Sequence, residues 1–264
     1  MPVSLTDSHA HLAEPILFDD VTAVVDRAVA AGVEHILAVG IDLASSATSI
    51  ALAERFPTVW ATVGVHPSEV ASFEERTIAE LSRLAAHPRV VAIGEIGLDY
   101  YRDRSTAELQ RSAFAAQVDL AAALGRPVVV HNREADDDVL RILGSVARDS
   151  DLATRAGVLH CFSGDAALAE RAIGQGFFVS FAGNLTFRRA DALRETAAKL
   201  PIDWILTETD SPFLAPIPVR GRTNQPANGR LVVDQLAEIR GISPESAALA
   251  TSANAGRLFR WASP

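Results

Sequence analysis

The sequence predicts a single closed (β/α)8 barrel, and three observations predict it. Short apolar runs of β-type residues alternate with amphipathic stretches from one end of the chain to the other. At 264 residues the chain has the length of one such barrel, about 250 residues. Metal-type side chains also recur where one apolar run after another ends. Eight strand-then-helix repeats form a parallel barrel. No linker or low-complexity segment divides the chain, so residues 1–264 are read as one TIM-barrel domain.

Taken in order, Val3 and Leu5 alternate with polar residues and predict a strand near 3–9. Further apolar runs predict strands near 34–40, 58–64, 89–95, 127–131, 156–160, 176–181 and 203–208. Between them, apolar residues at helical spacing predict helices near 19–31, 44–55, 74–86, 105–124, 135–148, 165–174 and 188–199. A last helical region covers about 229–260. Gly32, Gly125 and Gly174 stand where helices should end, as C-terminal caps. The longest irregular piece, 209–228, holds Pro212, Pro216, Pro218, Gly221 and Pro226. A loop of that length inside a compact fold is usually functional.

Composition narrows the function classes. No run of about 18 uncharged apolar residues appears, so no membrane span is expected, and no secretion signal is recognisable at the N-terminus. Cys161 is the only cysteine, which excludes an internal disulfide and suits a cytoplasmic protein. A net charge of −9 gives no global attraction for nucleic acid, so a polyanion would have to meet a local basic patch and bound metal. Lys199 is the only lysine. The chain has no Gly-x-Ser-x-Gly elbow, phosphate-binding glycine loop or Rossmann fingerprint.

The chemistry is concentrated at the strand ends, where barrel active sites form. The first strand ends in Asp7-Ser8-His9-Ala10-His11, and residues two apart in a strand share a face, so His9 and His11 present paired imidazoles. Later strand ends supply His66, Glu95 and Asp99, His131, His160, then Glu208-Thr209-Asp210. Only His35 and His87 fall elsewhere, where structural roles are expected. Each residue alone has an ordinary structural explanation: a histidine closing an apolar strand is commonly just hydrogen-bonded, and Asp210 before Ser211-Pro212 suits a turn. Their shared rim is what points to metal.

Four histidines and two or three carboxylates exceed the three protein ligands of a usual single catalytic zinc site. Two ions about 3.5–4 Å apart can share a carboxylate, and Glu95 is the expected bridge. One ion is assigned His9, His11, Glu95 and Asp210, the other Glu95, His131 and His160. Asp210 is expected to orient or deprotonate the attacking water. Glu208 is expected to hold a ligand histidine in its tautomer, and His66 to contact substrate or a ligand. Cys161 is expected to be a packed thiol and not a nucleophile.

These residues sit in motifs that resemble the TatD family of metal-dependent deoxyribonucleases, within the amidohydrolase superfamily. The matching segments are Asp7–Leu12, Gly64–Pro67, Gly94–Tyr100, Pro127–Arg133, His160–Gly164, Glu208–Pro212 and Asn254–Phe259. The resemblance implies ligands at His9, His11, Glu95, His131, His160 and Asp210, the set already reached from the strand ends. It implies hydrolysis of DNA phosphodiesters with two divalent ions, Mg2+ or Mn2+, with Zn2+ also suited to the donors. The substrate would be single-stranded or damaged DNA, cut by a 3′–5′ exonuclease or an abasic-site endonuclease. One departure stands in the loop 220–226, where Gln225 replaces the glutamate more often found beside Asn224 and Pro226.

Phosphate contacts are expected from the rim arginines Arg102, Arg104, Arg133, Arg188, Arg220 and Arg222, since guanidinium groups bind phosphate oxygens bidentately. Tyr100, Tyr101 or Phe187 could stack a base, and Asn224 lies in the substrate-side loop by resemblance. Two other functions compete. A hydrolase of small esters, lactones or amides would commonly bridge its metals with a carboxylated lysine, for which this chain has only Lys199, at a helix end. A non-catalytic barrel would be expected to have lost ligands, and none is lost. A monomer with no obligate protein partner is expected.

Overall fold

The computed structural model describes residues 4–103, 106–144 and 152–261. Val3, Arg104 and the end of the helix expected over 135–148 lie outside them. Eight parallel strands follow one another around the sheet in sequence order. They are β1 (Leu5–Ala10), β2 (Val33–Ala38), β3 (Val59–Val63), β4 (Val90–Asp99), β5 (Val128–Arg133), β6 (Gly157–Leu159), β7 (Phe177–Phe181) and β8 (Ile205–Thr207). The ring closes just past β8, where Ala10 bridges Ser211 in parallel. There the His11 N–H donates to Ser211 O at 2.7 Å and the Asp210 N–H donates to His9 O at 2.9 Å.

The helices are α1 (Pro15–Phe18), α2 (Val21–Ala30), α3 (Leu43–Arg55), α4 (Glu75–Ala85), α5 (Ala107–Ala123), α6 (Asp136–Leu143), α7 (Ala166–Ile173), α8 (Asp191–Lys199), α9 (Gly229–Arg240) and α10 (Pro244–Phe259). The final helical region therefore divides in two. Gly241 takes a left-handed conformation (φ 64°) and ends α9. Two residues later the Ser243 side chain accepts the Ser246 N–H, with Pro244 opening α10. Gly32 and Gly125 are left-handed after their helices, as expected. Gly174 ends α7 in right-handed geometry, and Gly176 takes the positive φ instead.

One buried apolar cluster joins the strands to the surrounding helices. A second contains Leu37, Val91, Val158 and Phe178 from strands around the ring. Residues from opposite walls can meet only through the interior, so this cluster is the barrel's own core. Leu258 and Phe259 of α10 join it and close one end. The other end carries the polar residues.

β4 differs most from expectation. It runs on to Asp99 with every residue buried, so Glu95 lies mid-strand with its side chain at the rim. The extension pairs Gly97 with His131 and Asp99 with Arg133. Gly97 has φ 141°, and a Cβ there would lie 2.0 Å from His131 O. Only glycine permits that approach, which brings the β5 imidazole up against the β4 carboxylate.

Candidate active site

Glu95 is the centre of the polar rim and is 2% exposed. Its two oxygens face different imidazoles. Oε2 lies 3.3 Å from His9 Nε2 and 3.6 Å from His11 Nε2. Oε1 lies 2.8 Å from His160 Nε2, 3.0 Å from His131 Nδ1 and 3.4 Å from His66 Nε2. Asp210 joins the first side, with Oδ1 3.3 Å from His11 Nε2 and 3.8 Å from His9 Nε2. The His9 and His160 rings stack at 3.9 Å between centroids, linking the two sides.

Behind these groups stand further carboxylates. Glu208 Oε1 lies 3.3 Å from His160 Nδ1 and accepts the Cys161 N–H at 2.7 Å. Asp99 Oδ2 lies 3.3 Å from His131 Nε2 and 3.6 Å from Arg102 Nε, and its Oδ1 takes the Tyr101 and Arg102 N–H groups. Asp7, grouped with the strand-one imidazoles by sequence, faces Thr209 instead. It accepts the Thr209 N–H at 2.8 Å and hydroxyl at 2.5 Å, tying β1 to the segment that carries Asp210. Asp210 itself has positive φ (53°), a conformation that aspartate tolerates better than most residues.

The electrostatics follow from burial and from these neighbours. Burial would raise the Glu95 carboxyl, but the surrounding His160, His66 and His131 imidazoles hold it well below the usual carboxylate range. Against its own burial, His160 is carried well above the ordinary imidazole value by Glu95 and Glu208. His11 and His131 are also raised against burial, by Asp210 and Glu95 for the first and by Asp99 and Glu95 for the second. His9 and His66 are lowered, chiefly by burial. Burial lifts Asp7 to about 7 despite its bonds to Thr209. Burial and the carboxylates of Asp210 and Glu208 push the Cys161 thiol well up, which leaves it a poor nucleophile.

The donor set fits divalent cations. His9 Nε2 and His11 Nε2 face each other at 3.2 Å, and His160 Nε2 faces His131 Nδ1 at 3.5 Å. Ring nitrogens converging in pairs on a buried carboxylate present several lone pairs to one point, which a cation satisfies and neutral rings do not. His9 Nδ1 is buried and has no hydrogen-bond partner among the described residues. Among the described residues, three groups of potential ligands have mutually close donor atoms: His9, His11 and Glu95; His66, Glu95 and His131; and His9, His160 and Glu208.

A cavity of about 580 Å3 opens onto this centre, with His11, His66, Arg102, Arg133, Asp210 and Phe213 in its wall. Of the substrate-side residues expected from sequence, His66, Arg102 and Arg133 therefore reach it. Tyr101, Phe187, Arg188 and Arg222 do not line it, and three more of the expected residues are held elsewhere. The Tyr100 hydroxyl donates to Asp138 at 2.6 Å and accepts from Arg111 at 3.0 Å. The Arg220 guanidinium lies over the Phe187 ring, 3.7 Å from its centroid. Asn224 is fully buried, donating to Thr209 O at 2.8 Å and Phe213 O at 2.7 Å. Asn224 thus ties the long loop to the end of β8 and has no surface to offer a substrate. Gln225 accepts from Arg27 of α2 at 2.7 Å, so the departure in this loop falls on the helix side. Phe213 was not singled out by sequence; it is 51% exposed, with its ring edge-on to His11 at 5.6 Å.

The family model described as TatD related DNase matches residues 6–260. The chain belongs to the TatD family. It is accordingly a metal-dependent hydrolase. It is 38% identical to the uncharacterized metal-dependent hydrolase YabD of Bacillus subtilis, over 97% of this chain and 99% of that protein. The protein of Citrobacter rodentium named 3′-5′ ssDNA/RNA exonuclease TatD is 38% identical, over 96% of this chain and 97% of its own length. Among solved structures, the TatD homologue YjjV of Escherichia coli superposes with a TM-score of 0.92 at 31% identity, covering 99% of this chain and all of YjjV. This TatD-family chain has no described helix long and apolar enough to cross a membrane.

Proposed function

We propose that the chain is a nuclease that hydrolyses phosphodiesters of single-stranded nucleic acid, with 3′–5′ exonucleolytic cutting of DNA as its principal activity. The observation that carries this reading is the division of Glu95 between two sets of imidazoles. His9, His11 and Asp210 would hold one divalent ion with Glu95 Oε2, and His131 and His160 a second with Oε1. Mg2+ or Mn2+ suits the carboxylates and Zn2+ the imidazoles. Bound there, such ions supply an activated water near neutral pH and offset charge on the attacked phosphoryl group.

The chain's own groups do the rest. Asp210, beside His11 and in the cavity wall, orients the attacking water and accepts its proton. Glu208 Oε1, 3.3 Å from His160 Nδ1, orients that ring by its charge and leaves Nε2 turned to Glu95. Arg102 and Arg133 provide forked donors for phosphate oxygens within a chain whose net charge repels polyanions elsewhere. The relatives named as ssDNA/RNA exonucleases support this substrate class. A lactonase-like bridge has no lysine to build on, because Lys199 ends α8 with its side chain 65% exposed and paired to Glu195.

The test is a substrate panel with Mg2+, Mn2+ and Zn2+ in turn: single-stranded DNA, RNA, a lactone and a phosphotriester. Release of mononucleotides from the 3′ end of DNA is expected. Turnover of the lactone or triester with inert DNA would replace this reading with a small-ester hydrolase.

A further inference from the structure

A second cavity, about 390 Å3, lies beside the central one. The two share Asn132, Arg133, His160 and Ser163, so the end of β5 and the turn after β6 form a common wall between them. Its volume falls within the range of small-molecule pockets, roughly 300–1,000 Å3. The composition of its wall is graded. Leu159, Phe162 and Leu168 supply apolar surface, and Tyr101 adds a ring that is 61% exposed. The Arg133 guanidinium stacks on that ring, 4.0 Å from its centroid, and stands in both cavities at once.

Two carboxylates stand in the remaining wall, beside Ser163 and Gly164. Glu134 and Asp136 both line this side cavity, and Asp136 accepts from Asn132 Nδ2 at 2.8 Å. Asn132 Oδ1, on the shared wall, is buried with no hydrogen-bond partner among the described residues. A phosphate would be repelled by this acidic wall but held at Arg133. A planar group bearing N–H donors meets the opposite conditions, with an aromatic face to stack on and acceptors at its edge. Those are the properties of a nucleobase with an exocyclic amine.

We propose that the side cavity is the subsite for a nucleoside flanking the scissile phosphodiester, its base against Tyr101 and its adjoining phosphate at Arg133. This rests on the phosphodiesterase reading and extends it. The geometry accounts for the otherwise idle exposure of a tyrosine beside a metal-type centre. It also selects single strands, because a base can enter such a pocket only when it is unpaired and unstacked from its neighbours.

Tyr101→Ala removes the stacking face from an exposed position, so the fold is retained, as circular dichroism will show. With single-stranded DNA, the KM of this variant rises about tenfold, the loss expected of one base–aromatic stack, while kcat stays within about twofold. Tyr101→Phe keeps the ring and restores the wild-type KM. On the wild type, oligo(dC) shows a KM about threefold or more below that of oligo(dT), since only cytosine brings an amine to the acidic wall. A Tyr101→Ala enzyme with unchanged KM, one that loses kcat instead, or equal KM values for the two homopolymers overturns the subsite. A wild type that cleaves no single-stranded DNA or RNA overturns the nuclease reading itself, and the subsite falls with it.

Discussion

The Glu95 carboxylate and the His160 imidazole meet at 2.8 Å, Oε1 to Nε2, although β5 lies between the elements that carry them. The tilt of barrel strands brings non-neighbouring strand ends together on one rim. Here that convergence also divides Glu95 between His9 and His11 on one side and His131 and His160 on the other. Replacing Glu95 by glutamine keeps the shape and removes the charge that this arrangement surrounds. Loss of a group merely supporting a metal ligand costs about 10- to 100-fold, so Glu95→Gln is expected to lower kcat/KM by more than about 100-fold. Metal content measured on the purified variant should fall in parallel. A variant that keeps its metal and its rate would remove Glu95 from the centre.

Metal removal should be visible in stability as well as in activity. An ion that binds only the folded state at 100 times its Kd adds about 2.7 kcal/mol. At about 2–4 °C per kcal/mol for a chain near this size, saturating Mn2+ should raise the thermal midpoint by at least about 5 °C over chelated protein. Activity should disappear with chelator and return with Mn2+ or Mg2+. Differential scanning fluorimetry on the same samples measures the shift, and coincident midpoints with and without metal would contradict it.

Most of the ring was legible in the sequence because alternating strand and helix patterns leave few arrangements that bury every apolar run. The rim was legible because histidines and acids closing apolar strands have few structural uses in common. What escaped was decided by contacts between distant segments. Nothing local distinguishes Asn224, buried under Thr209 and Phe213, from an asparagine that faces a ligand. Tyr100 and Tyr101 are adjacent, yet the first is tied to Asp138 and the second opens onto a cavity. The run of β4 past Glu95 to Asp99 depends on pairing with β5 through Gly97, and the apolar pattern alone ends the strand near Glu95.

Gly97 gives a direct stability test of that pairing. A methyl at Gly97 would fall 2.0 Å from His131 O, and the backbone there has φ 141°. Both the clash with main chain and the conformation count against any side chain, so Gly97→Ala is expected to cost more than about 2 kcal/mol. Thermal and urea unfolding will measure it. Gly125→Ala is the control, because nothing lies within 4 Å of a Cβ there and only its φ of 61° opposes the change. Equal losses for the two would mean that the β4–β5 approach is softer than its geometry implies.

Asn224 separates support of the loop from contact with substrate. Its carboxamide nitrogen donates to Thr209 O and Phe213 O, and its oxygen accepts from Gln225 N–H and Asn228 Nδ2. Asn224→Asp preserves volume and the accepting oxygen but replaces the donor with a second acceptor facing two carbonyls. A buried group left without its partner costs about 1–3 kcal/mol, and that loss should appear in the unfolding midpoint. Thr209 is followed directly by Asp210, and Phe213 lines the central cavity. Loosening their carbonyls should therefore lower kcat through misplacement of the Asp210 carboxylate. An Asn224 that touched substrate would instead raise KM with stability unchanged. Unfolding curves and steady-state kinetics on the one variant distinguish the two roles, because the latch predicts a stability loss coupled to kcat and the contact predicts neither.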